Sequence, residues 1–134
     1  MDAVLNGRGW KLRVLDGWTA KPGVGEEVLV PPDNGPVLTI RTAKVDGGLN
    51  DNDLRYLARE LIEDDRRPEQ VRLGDFEGLA FRYIEDDFYW RQWYLRAAHL
   101  WLDVSYDCAV SERGKHDAAI DQMLRSLALD AGAI

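Results

Sequence analysis

Between Trp10 and Leu15 apolar and charged residues alternate: Trp10, Leu12 and Val14 share one side, and Lys11 and Arg13 share the other. A period of two predicts a half-buried strand. Asp16–Trp18 signals a turn and Lys21–Gly25 a loop, after which Glu26–Val30 reads as a short strand ended by Pro31 and Pro32. Asp33–Gly35 is a hairpin signal, because Asn and Gly tolerate positive φ. The following segment, Pro36–Val45, is rich in β-branched residues at period two and is expected to pair with the strand before it. The period then changes. Leu54, Leu57, Ala58, Leu61 and Ile62 form one helical stripe. Asp51 or Asn52 is the expected cap, Arg66 and Arg67 suit the C-terminal end, and Pro68 stops the helix. Gln70–Leu73 reads as a strand, Asp75–Gly78 as a tight turn, and Leu79, Phe81 and Tyr83 alternate along a longer strand. Two more strands lie in Phe88–Tyr106. From Ser111 to Leu129, Ile120, Met123, Leu124 and Leu127 make a second helical stripe.

Strands, a helix, more strands and a final helix joined by short connections predict an α+β domain. Its expected form is a largely antiparallel sheet of about six or seven strands flanked by two helices. Residues 1–134 are expected to make a single domain, with 1–9 and 130–134 as flexible ends. No internal repeat or low-complexity stretch interrupts the pattern.

The stretch Phe88–Tyr106 holds seven of the chain's thirteen aromatic residues. With Ala97–Ala98 as a two-residue loop, Leu95 faces Leu100, Tyr94 faces Trp101 and Trp93 faces Leu102. Residues that pair share a face. One face then carries Tyr89, Arg91, Trp93, Leu95, Leu100, Leu102, Val104 and Tyr106, and is expected to be core. The other carries Trp90, Gln92, Tyr94, Arg96, Trp101 and Asp103, together with Phe88, His99, Ser105 and Asp107. Either a helix or the N-terminal loop covers its rings, or they form a recognition surface, since contiguous exposed rings mark interfaces. An odd change in loop length would exchange the faces.

Composition narrows the chemistry. The net charge is −7 and the basic residues are scattered among acidic ones, so no basic stripe for nucleic acid exists. A single cysteine, Cys108, rules out an internal disulfide and is expected to be an inert packing residue. His116 is expected to be a solvated helix residue and His99 a polar residue at a strand end. No His-x-x-x-His, calcium-loop, phosphate-loop or nucleophile-elbow spacing occurs, so no catalytic residue, metal or cofactor is expected. The acidic runs at Asp51–Asp53, Glu63–Asp65 and Glu85–Asp87 read as a cap, a helix end and a turn. No apolar run approaches the roughly 20 residues of a membrane helix, so stable membrane insertion is not expected. The start has no signal-peptide pattern, and a cytoplasmic location is expected.

"LRVLDGW", "VLVPPDNGPVLTI", "DLRYLARELI", "RLGDFEGLAFRYIEDD" and "VSYDC…IDQMLRSL" in this order resemble the PsbP-like superfamily, and more narrowly the bacterial DcrB-like proteins, including Eag-type chaperones of type VI secretion effectors. The resemblance spans roughly residues 10 to 129, most of one domain. It implies an antiparallel sheet flanked by helices and members that bind proteins rather than perform chemistry. The leading expectation is a non-enzymatic, chaperone- or adaptor-like protein of bacterial origin. It would hold a protein partner or client through Trp90, Gln92, Tyr94, Arg96, Trp101 and Asp103. A homodimer through a sheet edge or this face is a further expectation. Two alternatives stand beside it. One is a small-ligand carrier or small enzyme with a pocket near His99, Asp103 and Arg96, although His99 and Asp103 are about 13 Å apart along a strand. The other is an immunity-type protein whose acidic surface blocks a basic toxin.

Overall fold

In the computed structural model, which describes residues 3–130, two antiparallel sheets enclose one main core. The strands are β1 (Ala3–Asn6), β2 (Trp10–Val14), β3 (Thr19–Gly23), β4 (Glu26–Val30), β5 (Leu38–Lys44), β6 (Glu69–Leu73), β7 (Phe76–Glu85), β8 (Phe88–Ala97), β9 (Leu100–Ala109) and β10 (Ala128–Leu129). The helices are α1 (Asp51–Leu57), α2 (Arg59–Glu63) and α3 (Asp117–Arg125). The large sheet has the order β3-β4-β5-β9-β8-β7-β6, and the small one β1-β2-β10. The architecture is α+β, as the periodicities predict. β4 and β5 pair across the Asp33–Gly35 segment, with Leu29 opposite Leu38.

The long hairpin differs from expectation by one full strand period. Its loop is Ala98–His99, so Ala97 faces Leu100, Leu95 faces Leu102 and Trp93 faces Val104. β5 sets this register: Lys44 pairs with Leu100, and the Val45 N–H donates to the His99 carbonyl at 2.7 Å. Ala98 takes a φ of 50° to make the turn. A shift of two residues leaves every side chain on its expected face. Tyr89, Arg91, Trp93, Leu95, Leu100, Leu102, Val104 and Tyr106 are all buried.

That inner face is closed by the small sheet and by α3. Trp10, Leu12 and Val14 point into the core from β2, and the Trp10 indole N–H donates to Thr42 Oγ1 at 2.8 Å. Ile120, Met123, Leu124 and Leu127 seal the other end. The buried charge on the inner face, Arg91, donates to Asp121 at 2.7 Å and to Asp117 at 3.4 Å, and lies over the Trp93 ring. A spacing of four residues puts both carboxylates on one side of α3.

Several local expectations are corrected. Asn50 caps α1, not Asp51 or Asn52: its side chain accepts from the Asp53 N–H while Asp53 accepts from the Asn50 N–H, a reciprocal capping box. The helical stripe is broken at Ala58 into α1 and α2, and Arg66 and Arg67 lie beyond its end. The β6–β7 turn is Gly74–Asp75, not Asp75–Gly78. Gly74 has a φ of 63°, and a Cβ there would lie 1.8 Å from the Leu127 carbonyl oxygen, so glycine is required. The last helix begins at Asp117 rather than Ser111, after a short 3-10 turn at Val110–Glu112, and gives way to β10. β1, β3 and β10 carry no period-two signal, and residues 3–6, expected as part of a loose end, are a strand of the small sheet. The C-terminal end expected to be flexible lies, from residue 131, outside the described residues.

His116 is not solvated. It stands at the N-cap position of α3 without a side-chain capping bond, buried, 2.9 Å from the Tyr106 hydroxyl and 3.2 Å from Asp33 Oδ2, with the Trp18 ring edge-on. The contact needs the loop after β4 to fold onto α3, which local sequence does not reveal. Cys108 is buried, and burial pushes its thiol up, away from the reactive thiolate.

Candidate functional site: the outer face of the large sheet

The alternation that buries one face of β7, β8 and β9 turns Leu79, Phe81, Tyr83, Trp90, Gln92, Tyr94, Arg96, Trp101 and Asp103 to the other. Two helical segments cross this face. Leu54 and Ala58 pack on Leu79 and Phe81, with Leu57, Leu61, Ile62, Tyr83, Tyr94 and Trp101 around them. One of the two open expectations is therefore met in part: a helix covers some of the rings. Trp90, Tyr94 and Trp101 nevertheless stay only half-buried.

The rings form two stacks. Tyr94 lies parallel to Trp101, with centroids 6.5 Å apart, and meets Phe81 edge-on. Trp90 lies parallel to Tyr83 at 6.3 Å, while the Arg66 guanidinium sits over the Tyr83 ring, 4.3 Å from its centroid. Tyr83 was legible as a strand residue. Its pairing with Trp90 depends on the Asp86–Asp87 turn, where both residues take positive φ. The Tyr83 hydroxyl donates to Gln92 Oε1 at 2.9 Å, so Gln92 orients a ring.

Arg96 has a structural task. It donates to the Leu49 carbonyl at 2.9 Å and to Asp51 at 2.8 Å, and it lies 3.1 Å from Glu77. It thereby ties the start of α1 to the sheet. Asp103 is different. It faces Tyr94 on β8 and Arg41 on β5, and no hydrogen bond or ion pair reaches its carboxylate from the described residues. Burial raises its pKa, and the Arg41 charge opposes that only in part. Burial, with the nearby Asp103 charge, likewise pushes the Tyr94 hydroxyl up to about 12. Trp101 Nε1 is buried without a partner. A buried donor without a partner and a half-buried carboxylate thus sit two residues apart on one strand face.

His99 is exposed in the β8–β9 turn, and no hydrogen bond joins it to Asp103 or Arg96. The six residues grouped by parity do share one face, but they divide into a helix anchor, a ring orienter and four groups with unfilled capacity. No cluster of three or more potential metal ligands occurs among the described residues. No helix among them is long and apolar enough to cross a membrane.

No family model and no curated protein matches the chain. Solved structures do. A protein from Bacteroides thetaiotaomicron VPI-5482 superposes with a TM-score of 0.66 at 16% identity, over 92% of this chain and 46% of the other. The chain therefore spans just under half the length of that protein. LpqN, described as involved in cell envelope biogenesis of Mycobacterium tuberculosis, superposes with a TM-score of 0.63 at 14% identity, over 96% of this chain and 90% of LpqN. Cyanobacterial PsbP (CyanoP) from Synechocystis sp. PCC 6803 is more distant, with a TM-score of 0.46 at 12% identity. At such identities likeness reaches the fold and stops there. In architecture, then, the chain is an α+β domain of the kind seen in LpqN and the Bacteroides protein.

Proposed function

We propose that the chain is a non-enzymatic protein-binding module, chaperone- or adaptor-like, that docks a partner segment on the part of the outer face left open beside α1 and α2. The observation that carries this reading is that Trp90, Tyr94 and Trp101 remain only partly buried after the helices have packed. Helix contacts run to β7 and β8, and beyond them Thr39, Asp103 and Ser105 are only half-buried. Trp and Tyr supply contact area at low entropic cost, which is why they dominate interface hot spots. The Trp101 indole N–H, buried without a partner, favours a partner that offers it an acceptor, because buried polar groups without partners are costly.

The client that fits such a surface is an apolar or amphipathic helix with a few polar groups. Chaperoning of secretion effectors, the Eag-type role, is the specific form suggested by the sequence resemblance. A homodimer through the same face fits better than one through the β3 edge, where Lys21 and Pro22 discourage strand addition. The cytoplasm is the proposed compartment; recovery from the envelope fraction would instead match the description of LpqN.

The test uses Trp90→Ala and Ser105→Arg, the second placing a charge in the open area. Proteins captured by the wild-type chain from its own organism are identified and compared with those captured by each variant. Specific capture that both variants lose, with melting temperature unchanged, supports the reading. Identical capture by all three chains, or loss only where the fold is lost, refutes it. Capture that weakens steeply with salt points to an acidic blocker of a basic toxin instead.

A further inference from the structure

On the inner-face side, a cavity of about 270 Å³ lies between α3 and the edge strand β6. Its charged lining is Arg67, Arg82, Arg91 and Arg125 against Glu69 and Asp121. Val71, Leu73 and the small Ala80 contribute the accessible apolar surface, with Trp93 and Phe81 buried behind it. In a chain of net charge −7, four guanidinium groups against Glu69, Asp121 and the adjoining Asp117 leave a local excess of one positive charge.

Two of the four cations have structural work. Arg91 is buried and bound to Asp117 and Asp121, and Arg82 lies 3.5 Å from Asp117. Arg67 and Arg125 are exposed, and neither makes a hydrogen bond or ion pair with any described residue. Helix-end electrostatics would explain Arg125 alone, since it stands in the last turn of α3. They do not explain its convergence with Arg67, which comes from the connection between α2 and β6. Planar guanidinium groups brought together from separate elements are suited to bidentate capture of carboxylate or phosphate. The volume is near the lower end for small-molecule clefts.

We propose that this cavity binds a small organic anion, a carboxylate or phosphate monoester on a compact apolar body. Arg67 and Arg125 hold the anionic group, Arg82 and Arg91, matched by Asp117 and Asp121, frame it, and Val71, Leu73 and Ala80 receive the apolar part. The site is on the opposite face from the proposed partner surface and does not depend on it.

The experiment is a two-dimensional ¹⁵N NMR titration of the full chain with phenyl phosphate, benzoate, inorganic phosphate and, as a neutral control, benzyl alcohol. Saturable shifts at the amides of Val71, Ala80 and Trp93 are expected with phenyl phosphate or benzoate. In the Arg67→Ala/Arg125→Ala variant, binding should be at least about tenfold weaker, because two charge-assisted contacts are removed. Tighter binding of phenyl phosphate assigns a phosphate ligand, and tighter benzoate a carboxylate. The proposal is overturned by equal binding of benzyl alcohol, by inorganic phosphate binding as tightly as phenyl phosphate, or by undiminished affinity in the double variant. It is equally overturned if no saturable shift occurs up to about 10 mM ligand, the range of a very weak site. Should the double variant lose its native spectrum, the single Arg67→Gln and Arg125→Gln chains carry the same test.

Discussion

A guanidinium inside a sheet face needs its charge matched on the spot. Arg91 has that match only because α3 presents Asp117 and Asp121 together. Arg91→Ala should therefore destabilise the chain by about 2–4 kcal/mol in urea unfolding, toward the lower part of the range for a broken buried pair because both aspartates keep some solvent. Two other carboxylates respond to pH in opposite directions. Asp33 accepts from the Gly35 N–H and pairs with Lys115 and His116, which lowers its pKa from 3.8 to about 2. Its folded pKa is depressed, so its stabilisation is present above pH 3.8 and is lost as pH falls toward about 2. Asp103 is raised above 3.8 by burial, so its ionised form burdens the folded state at neutral pH and the burden disappears below 3.8. Asp33→Asn should lower the melting temperature at pH 7, and Asp103→Asn should raise it. Both differences should fade in melts recorded toward pH 2–4.

Among the elements, α1 decides how much of the outer face remains open. It is a short helix of seven residues and would be marginal without its cap and its apolar face. The cap is Asn50 with Asp53, and Arg96 ties the preceding Leu49 carbonyl to β8. Asn50→Ala should cost about 1 kcal/mol in chemical denaturation. It should also loosen α1 enough to change the fluorescence of Trp101 beneath it, while a Trp101→Phe background removes that change. The helical stripe from Leu54 to Ile62 and the alternation in β7 to β9 were plain in the sequence, because each depends on a local period. The break at Ala58 and the choice of Asn50 as cap were not, because several neighbouring residues could serve and packing on Leu79 and Phe81 selects among them.

At the scale of the molecule, both sheets draw on one core. Trp10 from the small sheet belongs to the same buried cluster as Ile40, Leu102 and Val104 of the large one and hydrogen-bonds Thr42. The two sheets should therefore unfold together, with far-ultraviolet circular dichroism and tryptophan fluorescence tracing one transition. Trp10→Ala should cost about 3–5 kcal/mol and shift that transition as a whole. Separate transitions by the two probes would show that the small sheet is an independent unit. The negative net charge does not describe the surface locally, since four of the six charged residues lining the cavity between α3 and β6 are arginine.

Parity along Phe88–Tyr106 was enough to divide the rings into a core set and an outer set, and a wrong loop did not spoil it because the error equalled one strand period. Helical stripes, the hairpin at Asp33–Gly35 and the absence of familiar catalytic spacings were equally legible. All of these are properties of residues close together in the chain. What required the fold were relations between distant residues. These include Arg91 with Asp121, Asp33 with His116, and Tyr83 stacked on Trp90. They also include the small sheet made from both ends of the described chain, and Arg67 and Arg125 lining one cavity. Whether Trp90, Tyr94 and Trp101 were covered also depended on where α1 and α2 came to rest. A local period specifies which way a side chain turns, but what it meets there is set by the packing of elements far apart in sequence.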